Sequence, residues 1–213
     1  LAAALLEYGH DSRSRDLVLS LPLNADTAMM RLNLFIGAKQ WEELDDLVAN
    51  SLDVFPSHEQ AIAGTAQIIS RVERAEPRER ENILEACKGQ NADDTRVNMM
   101  LAQSARFNGF YDLSDHFFEV GLSALDSPQT RYADRITAAH AAISRDEPGM
   151  AARILYGHVS INHDSSELRM LARAIAHDFP PRARAGKFFS ELPEKVRSLP
   201  FYRRAEGIYH INR

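Results

Sequence analysis

The sequence predicts an all-α fold built from antiparallel helix hairpins, and three observations lead to this fold class. Apolar residues recur at steps of three and four along most of the 213 residues, the spacing that places them on one face of a helix. Prolines and short turns rich in glycine, asparagine or aspartate separate these segments. No stretch shows the alternation of apolar and polar residues that is typical of a strand, so every predicted element is a helix.

The clearest hairpin is predicted at residues 28–36 and 41–55, with Gly37 in the turn between the two helices. The second helix has an apolar face formed by Trp41, Leu44, Leu47, Val48, Leu52 and Phe55. Pro56 is expected to end this helix, because the residue before a proline is displaced from the α region. Two helices alone bury only part of their apolar surface, so this hairpin predicts neighbours of the same kind.

A similar hairpin is predicted about 70 residues later, at 96–107 and 111–125. In this register Val48 corresponds to Phe118, which is therefore expected to lie between helices. The intervening segments 58–72 and 77–88 form one more pair, which makes the period about 35 residues. Cys87, near the end of that pair, is interpreted as a small buried residue rather than a reactive thiol.

The rest of the chain follows the same pattern of helices and turns. We predict a first hairpin at 1–8 and 12–19, a later one at 130–144 and 149–159, and a helix at 167–177 capped by Asp164 or Ser165. A further helix is expected to start at Pro180 and Pro181 and to run to about residue 192. Residues 1–192 are thus predicted to form an array of about five helix pairs.

Residues 193–213 are predicted to form a C-terminal capping or docking helix. An apolar stripe supports this prediction and consists of Phe201, Ala205, Ile208 and Tyr209. The stripe has three interpretations: it caps the array, docks on a further domain, or forms an interaction face.

Two turns and the helices after them, AKQWEEL at 38–44 and NGFYDLS at 108–114, resemble the tetratricopeptide repeat, whose period is about 34 residues. Ala28, Arg31 and Leu32 differ from the residues usual in that family. The resemblance implies a right-handed superhelical array, a TPR-like α-solenoid. It also implies a scaffold for protein–protein interaction that binds a peptide or protein partner on its concave face.

In arrays of this kind the first helix of each pair lines the concave face. Projected onto this sequence, the resemblance implies partner-binding residues at Asn33, Arg71, Met99, Gln103, Arg106, Phe107, His140 and Arg173, with Met29, Ile36 and Ile68 beside them. This mixture of apolar, amide and arginine side chains suits an extended peptide, because amides bond a peptide main chain and arginines pair with carboxylates.

The charge and composition narrow the classes of partner. The net charge of −5 argues against general nucleic-acid binding, which requires clustered positive charge. The segment from residue 165 has ten lysines and arginines against five acidic residues, so an acidic partner or a lipid surface is one interpretation and a solvated face is the other. No apolar run reaches the length of about 18 residues that spans a membrane. The single cysteine excludes a disulfide framework.

The sequence has no signature of an enzyme or of a cofactor site. It contains no P-loop, GxGxxG, GxSxG, HExxH or paired-cysteine motif. The four carboxylates at Glu42, Glu43, Asp45 and Asp46 lie on the polar face of a predicted helix, where nothing removes them from water to raise a pKa for catalysis. We therefore predict no enzymatic activity, no catalytic residue, no metal site and no cofactor.

Two other functions stay open at this point. One is a helical accessory domain of a glycosyltransferase or of a polysaccharide-secretion system, and the other is RNA binding by helical repeats, which the acidic balance disfavours.

A chain that starts at Leu1 already in a helical pattern is expected to belong to a longer protein or assembly. The scarcity of cysteine fits a cytoplasmic location, with the periplasm as the alternative.

Overall fold

The computed structural model describes residues 11–90, 92–128, 130–177 and 185–212, and every regular element within these ranges is helical. In chain order the α-helices are α1 (Asp11–Ser20), α2 (Ala25–Gly37), α3 (Trp41–Ser51), α4 (Ser57–Arg74), α5 (Pro77–Glu85), α6 (Thr95–Phe107), α7 (Tyr111–Ala124), α8 (Tyr132–Ser144), α9 (Pro148–Leu155), α10 (Ser166–His177), α11 (Ala185–Glu191), α12 (Glu194–Arg197) and α13 (Pro200–Ile211). The all-α prediction is confirmed for the described residues. The helix predicted at 1–8 lies outside them, as do residues 180 and 181, where another was expected to start.

The helix predicted over 41–55 ends earlier than the sequence indicates. Its α-helical part stops at Ser51, and a 3₁₀ turn, Leu52–Val54, follows. Phe55 is extended, with φ −71° and ψ 137°, as expected of a residue that precedes a proline. The change of path leaves Leu52 on the surface, 41 % exposed, and turns Phe55 into the core. The apolar face predicted for this helix is therefore wrong at Leu52.

Contacts along the chain define two compact units, each described here by itself. Of the described residues, the first unit contains 11–90 and Met100–Phe117, and the second contains 92–99, 118–128, 130–177 and 185–212. Helices α6 and α7 each contribute one part to the first unit and the other part to the second.

The first unit is a set of consecutive packed helices. Helix α2 contacts α1, α3 and α4, and α4 also contacts α3 and α5. Asn24 and Thr27 fix the start of α2: the Asn24 side chain accepts from the Thr27 N–H at 3.0 Å, and Thr27 Oγ1 accepts from the Asn24 N–H at 2.8 Å. The core side chains include Leu32, Leu44, Phe55, Ala66 and Leu84, all buried.

The second unit is built around α9 and α10. Helix α9 contacts α8 and α10, and α13 packs against α10. Helix α8 presents small buried residues, Ala138, Ala139, Ala141 and Ala142, to this core. Further along, the rings of Phe189 and Tyr209 lie 5.8 Å apart, which joins α11 to α13.

The apolar stripe predicted for the last helix is correct in part. Ala205 and Tyr209 are buried as predicted, but Tyr202 is fully buried and Phe201 is 37 % exposed. One residue turns a helix by about 100°, because there are about 3.6 residues per turn. The buried face of α13 therefore includes Tyr202, which the sequence analysis did not select, in place of Phe201.

Gly121 in α7 marks a close approach between helices, and a Gly121→Ala variant is expected to be less stable than the wild type. A Cβ at this position would lie 2.8 Å from Met99 Cε and 3.2 Å from Asn98 Cβ. The Met99 methyl ends a flexible side chain but is fully buried, and the Asn98 Cβ is fixed to its main chain, so neither can move away freely. Alanine gains about 1 kcal/mol over glycine in helix propensity, but overpacking a filled core costs about 1–3 kcal/mol. Urea unfolding measures the net change.

Gly64→Ala is the matched control for this prediction. Gly64 also lies inside a helix, α4, but a Cβ there meets nothing within 4 Å. Its replacement is expected to stabilise the protein by about 0.5–1 kcal/mol, because only the propensity gain remains. A stabilisation of similar size at Gly121 would show that the contact with Met99 is not tight.

Candidate functional site

The first unit contains a cleft of about 520 Å³, within the range of about 300–1,000 Å³ that is usual for ligand sites. Its lining residues come from the end of α2, the following turn, the start of α3, the second half of α4, the start of α5, and α6 with the turn after it. They are Ile36, Lys39, Trp41, Ile69, Glu73, Arg80, Met100, Gln103, Ser104, Phe107 and Asn108. Segments far apart in sequence therefore build one concave surface.

One wall of the cleft is a single face of α6. Met100, Gln103, Ser104 and Phe107 follow the helical spacing of three and four that brings side chains to one side. Phe107 is 82 % exposed, and Trp41 on α3 is half-buried. Ile36 and Ile69, which are also half-buried, extend this largely apolar surface.

The polar end of the cleft is held by hydrogen bonds. Arg80 Nη1 donates to Asn108 Oδ1 at 2.8 Å, and Asn108 Nδ2 donates to Glu73 Oε1 at 3.2 Å. Arg80 Nε also donates to the Ala75 carbonyl at 3.0 Å. Gly109, at φ +83°, turns the chain directly after Asn108 in a conformation that glycine adopts without strain. These contacts connect α4, α5 and the α6–α7 turn, and they fix the polar groups before any ligand binds.

Three further polar side chains in the cleft have no partner within the described ranges. The Ser104 hydroxyl is buried, with its residue 5 % exposed, and it makes no hydrogen bond there. The Gln103 amide and the Lys39 ammonium also make no hydrogen bond or ion pair with the described part of the chain. The cleft therefore combines apolar walls with polar groups whose hydrogen-bonding capacity is not met within the described ranges.

The structure brings together part of the predicted partner-binding set. Gln103 and Phe107 line the cleft, as does Ile36. Asn33 and Arg71 are exposed in the same unit but do not line it. The Arg106 guanidinium lies over the Tyr111 ring, 5.7 Å from its centre. His140 and Arg173 are exposed residues of the second unit.

Met99 requires a correction. Its side chain is fully buried against Gly121, so it belongs to the core rather than to a surface that a partner contacts. The cleft-facing residues of α6 begin one position later, at Met100. The same one-residue shift separates the predicted Ile68 from the observed Ile69 in α4. Gly121 gave no usable signal for this contact, because Gly64, also inside a helix, has no neighbour within 4 Å of a Cβ at that position.

Several cleft residues were not selected from the sequence, namely Lys39, Trp41, Glu73, Arg80, Ser104 and Asn108. Trp41 was assigned to the packing face of its helix, and Arg80 and Asn108 to a second helix and a turn. The local pattern has no feature that separates them from ordinary surface residues. Their proximity arises only when α4, α5 and α6 pack.

A second cluster of charged side chains lies where the chain enters α10. Asp164 accepts hydrogen bonds from Arg169 and, at 2.7 Å, from the Tyr202 hydroxyl of α13. Arg169 also lies over the Phe201 ring, 5.7 Å from its centre. Ser165 caps α10, because its Oγ accepts from the Leu168 N–H at 3.1 Å. This cluster ties the last helix to the body of the second unit.

Asp164→Asn is expected to destabilise the protein at neutral pH and to lose this effect in acid. The hydrogen bond from Arg169, followed by that from Tyr202, holds the pKa of Asp164 below its ordinary value. A carboxylate with a depressed folded-state pKa stabilises above its unfolded pKa of about 3.9, and the contribution is lost as the pH falls through the folded value. Urea unfolding of both proteins at several pH values measures the difference. A difference that stays constant from neutral pH into strong acid would contradict this prediction.

Burial also shifts the pKa values of two other side chains, Cys87 and His140. Cys87 is buried as predicted, and burial raises the pKa of its thiol, which disfavours the reactive thiolate. Although His140 is exposed, desolvation by its neighbours lowers its pKa, and Glu167 acts in the opposite direction. Within the described ranges, no group of three or more His, Cys, Asp and Glu residues is arranged to hold a metal ion.

None of the described helices is both long enough and apolar enough to cross a membrane.

Comparison of the chain with models of known protein families, with curated proteins and with solved structures finds no match in any of the three.

Proposed function

We propose that this chain is a scaffold for protein–protein interaction, without enzymatic activity of its own, and that the cleft of the first unit binds a segment of a partner protein. The observation that supports this proposal best is the apolar cleft with Phe107 exposed at its edge. A large aromatic side chain in water is unfavourable, and covering it gains roughly 25 cal/mol for each Å² of apolar surface.

The kinds of residue in the cleft fit such a role. Aromatic residues, methionine and arginine are enriched at protein interfaces, and Trp41, Phe107, Met100 and Arg80 all line the cleft. The polar groups among them are of the kind that orients a bound chain. A partner that covers Phe107 and enters the cleft combines apolar burial with hydrogen bonding.

The order of the helices supports a TPR-like α-solenoid as the architecture behind this function. The first helices of successive pairs begin at Ala25, Ser57, Thr95, Tyr132 and Ser166. These starts are about 35 residues apart, the spacing of helical-repeat arrays, whose general role is to present concave binding surfaces.

Phe107→Asp tests the proposed function in the full 213-residue chain. Partner proteins are captured on the immobilised wild type from the cells in which the chain is made, and recovery is compared with that of the variant. Loss of an aromatic hot spot costs about 2 kcal/mol or more, so recovery of a cleft-bound partner is expected to fall roughly thirtyfold.

Tyr132→Asp is the matched control, because Tyr132 is an exposed aromatic residue of the second unit. It should retain every partner that the wild type retains. Circular dichroism and thermal unfolding establish that both variants are folded. Equal recovery by wild type and Phe107→Asp would overturn the assignment of the cleft as the binding site.

A further inference from the structure

We infer that the partner segment is extended, that it inserts an apolar side chain into the cleft, and that an acidic side chain beside this anchor pairs with Lys39. In this arrangement Ser104 donates a hydrogen bond to the main chain of the segment. The inference rests on the proposed function and adds the chemistry of the partner.

The unpartnered Ser104 hydroxyl favours a ligand with free main-chain groups. Hydroxyls inside helices commonly bond the carbonyl four residues earlier, as Thr65 does to Ala61 at 2.7 Å and Ser123 does to Glu119 at 3.0 Å. Ser104 makes no such bond within the described residues although it is buried. A buried donor without a partner is costly, so a ligand that accepts from it is favoured.

An extended segment meets this requirement better than a helical one. In a helix the main-chain carbonyls are bonded internally except at the last turn, whereas an extended chain leaves them free. Gln103, next to Ser104, has a side-chain amide that both donates and accepts, which matches the donor and acceptor of one main-chain unit. The two neighbours on α6 thus form a short polar track beside the apolar wall.

The apolar wall selects the anchor. Ile36, Trp41, Ile69 and Met100 line the cleft, and Phe107 stands at its edge. Apart from the indole N–H and the weakly accepting Met100 sulfur, their surfaces offer no donor or acceptor, so the side chain that enters between them is apolar. The flexible Met100 side chain adapts to anchors of different shape.

Charge decides the residue beside the anchor. Three charged side chains line the cleft, and two of them, Glu73 and Arg80, are joined through Asn108 and compensate each other. Lys39 is exposed and has no ion pair with the described part of the chain. The remaining positive charge therefore favours a carboxylate on the partner, because complementary potentials attract and like charges repel across an interface.

Intrinsic fluorescence gives a direct readout, because Trp41 is the single tryptophan of the chain and lines the cleft. The probes are N-acetylated, C-amidated hexapeptides with a central leucine followed by glutamate or by lysine. The terminal caps remove the peptide's own carboxylate, so that only the side chain is tested. We expect the glutamate peptide to bind about threefold to tenfold more tightly, and Lys39→Glu to reverse the preference.

A pair of serine variants tests the main-chain bond. Ser104→Ala should weaken binding of the glutamate peptide by about threefold to tenfold, the net effect of one hydrogen bond. Ser70→Ala is the matched control: Ser70 is also buried without a hydroxyl partner in the described residues, but it does not line the cleft. It should leave affinity unchanged. An alanine-rich helical peptide with the same leucine and glutamate should bind more weakly than the hexapeptide.

Equal affinities of the Ser104→Ala and Ser70→Ala variants would overturn the inference. So would a charge preference that Lys39→Glu leaves unchanged, tighter binding of the helical peptide, or no binding of any capped hexapeptide. The capture experiment with Phe107→Asp tests the proposed function separately. None of the peptide results changes its outcome.

Discussion

Replacing Phe118 with alanine is expected to lower the free energy of unfolding by about 3 to 5 kcal/mol. Phe118 is buried, as the repeat register predicts, and the Arg145 guanidinium lies over its ring, 4.4 Å from the ring centre. Removal of the ring leaves a cavity and deprives the Arg145 guanidinium of its aromatic contact. Both effects add to the free energy lost because the ring is no longer buried. Urea unfolding followed by far-UV circular dichroism measures the change.

Phe201→Ala serves as the control, because Phe201 also lies beside an arginine, Arg169, but is 37 % exposed. Its replacement should cost less, roughly 1–2 kcal/mol, since about a third of its surface stays in water in the folded protein and its removal leaves no enclosed cavity. A loss at Phe118 as small as the one expected at Phe201 would contradict the assignment of Phe118 to the core of the second unit.

Tyr202→Ala is expected to destabilise the second unit by about 3 to 5 kcal/mol. Tyr202 of α13 is fully buried, and its hydroxyl donates to Asp164, which precedes α10, at 2.7 Å. The substitution removes a large buried ring, and it also removes one of the hydrogen-bond donors to the Asp164 carboxylate. Both losses weaken the attachment of α13, which the Asn212 side chain further joins to the Ala176 carbonyl at 2.9 Å.

Tyr202→Phe separates the two contributions, because it keeps the ring and removes only the hydroxyl. Its cost should be about 1.5–3 kcal/mol, the range for a hydrogen bond to a charged group. The measurement is again urea unfolding, with hydrogen exchange of the α13 amides as a local readout. If Tyr202→Phe were as damaging as Tyr202→Ala, the hydrogen bond rather than ring burial would hold the helix.

The cleft could be anticipated only in part, and particular residues show why. Gln103 and Phe107 were identified because the resemblance assigns first helices to the inner face, and both line the cleft. Met99 was misassigned because projecting the resemblance placed it on the inner face, whereas its side chain is fully buried in the core. Its contact with Gly121 decided which side of α6 faces inward.

The residues that hold the polar end of the cleft could not be read from local pattern at all. Glu73, Arg80 and Asn108 lie in three separate segments, and each has the charge or polarity of an ordinary surface residue. Hydrogen bonds between them exist only when those segments pack against one another. Ser104 was likewise inconspicuous, since a serine inside a helix usually bonds its own helix.

The helical class and the approximate positions of the helices could be predicted from the sequence, because they depend on interactions between residues close in the chain: apolar spacing, prolines at first turns and capping side chains. The rotation of each helix about its axis depends instead on packing against its neighbours. Tyr202 faces inward in place of Phe201, and Met100 lines the cleft in place of Met99. A shift of one residue changes local propensity little but changes every contact between helices, so only packing distinguishes the alternatives.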